Sequence, residues 1–530
     1  MAAYRGGICL FRRQNGAARR KAIASGALLA HKGAMTQPSA YSRLESLFAR
    51  LSHLDQATGF LHWDMSAVMP EGGAKSRGEQ LATMKSLSHE MLTAPQTAEW
   101  LDAAEAEPLD DWQRANLREM RRDWLHASCL PTKLVETVSK ACSACEMSWR
   151  QARPAADFAQ VKEALGEVVA LTRETAAIKS QALALSPYDA LLDQYEPGAR
   201  SAEIALLFDD LAAFLPGFLQ EVAARQRPAP PLPQGPFALA AQKEMGVEMM
   251  TLLGFDFRHG RLDESLHPFC GGTPDDVRIT TRYDEQSFLP SLFGVIHETG
   301  HALYEQGLPA DWRHQPVGRA RGMSLHESQS LLMEMQACRS RGFFHFLTPR
   351  LAARFGQGGW DADRLYDASM RVEPDFIRVD ADEVTYPAHV ILRFNLERAL
   401  IKGELAVADL PAAWNEGMER LLGITPPDDR RGCLQDIHWF DGAFGYFPTY
   451  SLGAMTAAQL FDAARRDLPG LEDEISAGRF AWLLSWLRNK VHGQASLHDS
   501  ADLLRQATGR PLDAGVFKAH LRRRYLSQGA

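Results

Sequence analysis

Residues 288–308 read FLPSLFGVIHETGHALYEQGL. Leu292, Val295, Ile296, Leu303 and Tyr304 recur at three- and four-residue intervals, the spacing of a single helix face. Inside that frame stands His297-Glu298-Thr299-Gly300-His301, an HExxH motif. On a helix, positions i and i+4 share a face, so both imidazoles can converge on one zinc ion. Glu298 lies about 100° round from His297. That leaves it beside a metal and poorly placed as a ligand, where it suits a general base acting on the attacking water. The bland alternative is a pair of exposed histidines on an amphipathic helix.

A catalytic zinc needs a third protein ligand and an open position. The next segment, residues 318–341, reads GRARGMSLHESQSLLMEMQACRSR and has the pattern of a second helix. The candidate carboxylates are Glu305, Glu327 and Glu334. Glu305 follows His301 at i+4 but points along the helix. Glu327 opens the second helix at hairpin distance and can point back, so it is preferred. A first-turn acid favoured by the helix dipole accounts for Glu327 equally well on spacing alone.

Working outward, helical periodicity dominates. It fills most of Tyr41 to Arg225, notably residues 42–64, 110–128, 132–153 and 158–185. Asp157 suits a cap for the last of these. Residues 201–226 read as a helix pair. Turn chemistry breaks the pattern at Met69-Pro70-Glu71-Gly72-Gly73, Ser186-Pro187 and Glu196-Pro197-Gly198. Gln226 to Pro236 is proline-rich and reads as a surface loop within one domain. The one strand-like stretch is Asp276 to Tyr283, DVRITTRY. The expectation is a mainly α chain with a small β element.

The chain has 530 residues, 45% hydrophobic and 23% charged, which argues against disorder and for a sizeable core. A net charge of -8 discounts a nucleic-acid binder built on phosphate contacts. Seven cysteines, sparse and odd in number, point to a reducing compartment and not a disulfide framework. Cys142 and Cys145 share a helix face and read as buried structural residues. No apolar run has the length of a membrane span. Residues 1–35 are basic and free of acids, a composition that resembles an organellar transit peptide. The preferred expectation is an upstream-extended start, with the true start at Met35, ahead of a single catalytic domain of two helical lobes over residues 36–530. Without a convincing secretion signal, the expected location is the cytoplasm.

Several motifs then stand in order. They are His267-Pro268-Phe269; Asp276 to Thr280, matching DxRxT; the HExxH; and His326-Glu327-Ser328-Gln329. Ile377 to Asp382 follows, matching IRxxAD, and then Gly432 to Trp439, matching GxxQDxHW. Together they resemble the M32 family of zinc carboxypeptidases, the thermostable carboxypeptidase 1 type. The resemblance runs from about Tyr41 to the C-terminus. It implies a large two-lobed helical metallopeptidase fold with a deep groove, similar to neurolysin and angiotensin-converting enzyme. It implies His297, His301 and Glu327 as metal ligands and Glu298 as base. It also implies Zn2+ as cofactor, with Co2+ able to substitute, and a homodimer acting on peptides with a free C-terminal carboxylate.

Such an enzyme needs an oxyanion donor besides the metal. Tyr386, His389 and Tyr446 are candidates, with core packing as the alternative. It also needs a carboxylate anchor, a role arginine fills through its planar fork. Arg378 leads, although Asp380, Asp382 and Glu383 nearby would pair a structural arginine as well. Arg430 and Arg431 are secondary choices. Arg278 either holds substrate or braces its strand. His267 and His438 are expected to shape the groove or to hydrogen-bond ligands. Trp439, Phe440, Phe444 and Phe447 read as core. The competing function is a zinc endo-oligopeptidase of related fold, which needs no carboxylate anchor. A structural zinc scaffold fits poorly, because it would use four protein ligands and leave Glu298 without a purpose.

Overall fold

The first helix, Ala40–Ala67, begins where Ser39 accepts the backbone N–H of Ser42, a side-chain cap on an otherwise orphaned donor. This is a computed structural model, and it describes residues 38–526 except Ala229 and Gln357. The extension over residues 1–35 lies outside the described residues. From Ser39 onward the chain forms one compact unit, mainly α, with twenty α-helices and three strands among the described residues. None of these helices is long and apolar enough to cross a membrane.

Two large cores organise the chain, one per lobe. The first gathers Thr132–Ala155, Lys162–Leu183, Ser201–Arg225, Tyr386–Lys402, Leu410–Leu422 and Ala514–Leu526. The second gathers Leu239–Leu253, Leu289–Glu305, Arg341–Phe355 and the helices from Leu471 to Thr508. One helix, Pro448–Asp467, feeds both: Leu452, Met455 and Ala458 enter the first core, Leu460, Phe461 and Ala464 the second. Trp439, Phe440, Phe444 and Phe447 are all buried in the first core, as expected, and so are Cys142 and Cys145.

Residues 201–226 do not form a helix pair. Ser201–Arg225 is one helix that runs through Pro216. The proline removes a backbone hydrogen bond and crowds the preceding turn, a cost of about 3 kcal/mol. Phe208, Leu211, Leu215, Phe218 and Val222 are buried along the same helix, each contributing about 1.5–3 kcal/mol, which outweighs it. Asp157 caps a short turn, Phe158–Gln160, and the long helix starts only at Lys162. The proline-rich strap from Gln226 has no regular structure in its described residues. The Gln226 amide pins it by pairing with both backbone groups of Val372.

The β element is larger than the single strand expected. β1 (Gly260–Glu264), β2 (Phe269–Thr273) and β3 (Asp276–Thr281) form a sheet in the order β1-β3-β2, with β3 parallel to β1 and antiparallel to β2. Val277 and Ile279 point from β3 into a small cluster with Val295 and Ala302 of the Leu289–Glu305 helix. The sheet therefore fixes the face of that helix opposite its histidines.

Candidate metal centre

Leu289–Glu305 is buried on most sides, and Pro290 occupies its first turn, where a missing N–H costs nothing. The next helix, Met323–Leu331, packs against it. Its N-terminus is tied down from outside: the Met323 N–H donates to the Tyr195 carbonyl, and the Ser324 N–H to the buried Glu196 carboxylate at 2.8 Å. The two helices approach so closely that a Cβ on Gly300 would lie 2.5 Å from the Gln329 carbonyl oxygen. Six further residues, Leu332–Ala337, widen into a π-helical turn, which brings Glu334 back toward His297.

This packing brings together His297, His301 and Glu327, which offer one ligand atom each, all within 4.8 Å of one another. Glu327 Oε2 lies 4.0 Å from His297 Nε2 and 3.5 Å from His301 Nε2. A tetrahedral site with bonds of about 2.0–2.1 Å has edges of about 3.3 Å, so the donor set fits a zinc-sized cation after small adjustment. The other ring nitrogens are already engaged. His297 Nδ1 meets Glu334 Oε2 at 2.9 Å, and His301 Nδ1 meets the His326 carbonyl at 3.0 Å. Such outer partners orient metal-binding imidazoles and fix their tautomers. Arg339 in turn holds Glu334 at 2.8 Å.

Burial disfavours charge on His297, yet Glu334, Glu327 and Glu298 outweigh it and push its pKa up to about 10. The same negative field favours a metal cation. Burial and the neighbouring His326 lower His301 to about 4. Burial pushes the Glu298 carboxyl up to about 7. Glu305, considered above as a ligand, instead pairs with His326 Nε2 at 2.9 Å. The His326 ring stacks on His301 with centroids 4.5 Å apart.

A cavity of about 740 Å³ opens over this cluster. His297, Glu298 and Glu327 line one side, Arg378, Tyr386 and Tyr450 another. Arg378 is 5% exposed. Its expected partners are not the acids beside it. Asp382 accepts the backbone N–H groups of Glu373, Val384 and Thr385, and Glu383 pairs with His520 and Arg524. Arg378 Nε and Nη2 donate to Asp436 Oδ1 at 3.1 and 2.8 Å, and Nη1 donates to the Tyr386 hydroxyl at 2.9 Å.

Arg278, His389, His438, Tyr446 and His267 fall outside the groove lining. Arg278 pairs with Asp276 and lies 4.5 Å from the Trp63 ring and 4.6 Å from Phe60, contacts that brace the first helix on β3. His389 is completely buried and is not among the residues that line the cavity. His438 Nε2 meets the Tyr450 hydroxyl at 3.3 Å, and Tyr446 packs edge-on against Tyr450 and Tyr195. His267 is exposed. Tyr450 and the outer role of Glu334 escaped the sequence reading. Tyr450 carries a weak signal, since it stands one helical turn after Tyr446 in the same FGYFPTY segment.

A family model described as Carboxypeptidase Taq (M32) metallopeptidase matches residues 43–525. Thermostable carboxypeptidase 1 of Thermus thermophilus is 38% identical over 508 residues, covering 93% of this chain and 99% of that one. Carboxypeptidase 1 of Bacillus subtilis is 34% identical, covering 90% and 96%. The solved structure of Trypanosoma cruzi metallocarboxypeptidase 1 superimposes with a TM-score of 0.90 at 41% identity, covering 92% of this chain and 99% of that one.

Proposed function

Given that the chain belongs to the carboxypeptidase Taq (M32) metallopeptidase family and is a metallocarboxypeptidase, we propose that it is zinc-dependent and removes single residues from the free C-termini of peptides. The observation that carries this reading is a buried arginine, Arg378, on the wall of the groove that also holds His297, Glu298 and Glu327.

In this reading His297, His301 and Glu327 hold the zinc ion, which when bound polarises the scissile carbonyl and acidifies water. Glu298 takes the proton of the attacking water on its carboxylate and delivers it to the leaving amine. Its burial, with a pKa near 7, suits both halves of that exchange. Arg378 receives the α-carboxylate of the last residue. Tyr386 accepts from Arg378, so its own O–H is free to donate into the groove toward the oxyanion. Burial pushes that hydroxyl up to about 12, so it remains a donor at neutral pH. His389, His438 and Tyr446 act behind the wall, packing the arginine and the tyrosines. The homodimer implied by the family resemblance, and the cytoplasmic location expected from the lack of a convincing secretion signal, belong to the same proposal.

The test uses one peptide with a free C-terminus and the same peptide as its C-terminal amide, incubated with zinc-loaded protein and read by mass spectrometry. Stepwise loss of single residues from the free form alone is expected. Internal cuts in both forms would overturn the reading in favour of an endo-oligopeptidase.

A further inference from the structure

Two guanidiniums share the carboxylate of Asp436. Arg378 takes Oδ1, while Arg393 Nε donates to Oδ2 at 2.7 Å and Arg393 Nη2 lies 2.5 Å from the same oxygen. Arg393 is completely buried and does not line the groove. Its Nη1 donates to the His389 carbonyl at 2.8 Å, and its guanidinium lies 4.4 Å from the Trp414 ring. Burial lowers its pKa only to about 10, so it stays charged at neutral pH. Burial holds His389 and His438 to about 3 and about 4, so neither imidazole carries charge. Within the Arg378–Asp436–Arg393 triad two cations face one anion. The buried Glu397, one helical turn from Arg393, is engaged by Tyr188, Trp439 and the Gly445 N–H, and burial pushes its carboxyl up to about 7. The carboxylates of Asp382 and Glu383 are committed to other donors. Of the two arginines on Asp436, Arg378 lines the groove and Arg393 is completely buried away from it.

We propose that Arg393 is a positioning residue for the carboxylate anchor. By occupying Oδ2 of Asp436 it prevents that carboxylate from neutralising Arg378, and so keeps one positive charge available for the terminal carboxylate of the peptide. It also fixes the rotation of Asp436, so that Oδ1 grips the Nε and Nη2 edge of Arg378 and leaves Nη1 turned to Tyr386. A buried charge without its counterion is costly, and substrate binding supplies that counterion. The inference rests on the reading of Arg378 as the anchor.

The experiment measures KM and kcat on an N-acyl tripeptide with a free C-terminus and on its amide, using the zinc-loaded enzyme and three variants. Arg393→Met and Arg393→Gln remove the charge, and the Gln keeps one hydrogen bond to Asp436 as a guard against a variant that fails to fold. Arg393→Lys restores the charge. The expected result is a KM for the free acid raised about tenfold in both neutral variants, kcat within about threefold of the parent, and recovery of KM by Lys. Unchanged KM in the neutral variants, a loss confined to kcat, or a Lys variant no better than Met would overturn the positioning role. So would failure of both neutral variants to fold beside a Lys variant with normal kinetics, because the charge would then serve folding. A parent enzyme that treats acid and amide alike would instead sink the anchor itself, and this inference with it.

Discussion

Glu298 and Glu334 sit on either side of His297, and their substitutions should separate chemistry from metal binding. Glu298→Gln removes the proton acceptor and leaves the donor set intact. Turnover should fall about 10²–10⁴-fold, with metal content and melting temperature unchanged. Glu334→Ala removes the partner of His297 Nδ1, and metal affinity should weaken about 10–100-fold in a chelator competition. The sequence made the first carboxylate legible because HExxH is a local pattern on one helix. Spacing prefers Glu327 over Glu305 and Glu334 but explains it equally well as a first-turn acid, because the choice depends on how two helices cross. The partner of Arg378 was beyond reach for a related reason. Asp436 lies 58 positions away, whereas the closer Asp382 is turned to backbone N–H groups and Glu383 to the C-terminal helix.

The crossing of the two ligand-bearing helices depends on a missing side chain. Gly300→Ala would press a methyl against the backbone of Gln329 and Ser330, both at 2.5 Å or slightly more. The helices must part, and Glu327 with them. A stability loss of about 1–3 kcal/mol is expected, together with weaker metal binding, measured by denaturant titration with and without zinc. At this scale the sequence revealed the long helices well, since their apolar spacing matches the faces they bury. β1 and β2 were missed because GRLDE and FCGGT carry neither β-branched runs nor clean alternation. They pair because β3 lies between them. The helix through Pro216 was misread for the opposite reason: a strong local breaker was overruled by burial on both sides of it.

At the scale of the whole chain, the C-terminal helix packs into the first core through Ala514, Phe517 and Leu521 and is also tied to the groove wall through the Glu383 carboxylate. Glu383 accepts from His520 and Gln336 on one oxygen and from Arg524 and Tyr525 on the other. Burial alone would raise its pKa, but Arg524 and His520 hold it well below the usual carboxylate range. Its folded pKa is therefore lower than its unfolded one. The stabilisation is present above the unfolded value, near 4.5, and is lost as pH falls below it. Melting temperature should drop as pH is lowered from about 5 to about 3. Glu383→Gln should cost about 3–5 kcal/mol at neutral pH and flatten that dependence.

The helix Pro448–Asp467, with its first half in one core and its second half in the other, has a consequence for cooperativity. Neither lobe can melt without stripping half of a helix from its neighbour, so the lobes have no independent folding equilibrium. Calorimetry and denaturant titration should give one transition with coincident fluorescence and circular-dichroism midpoints, and two resolved steps would contradict this. A fragment holding only one lobe should likewise fail to fold alone, because the segment it shares is also the spine of the half removed.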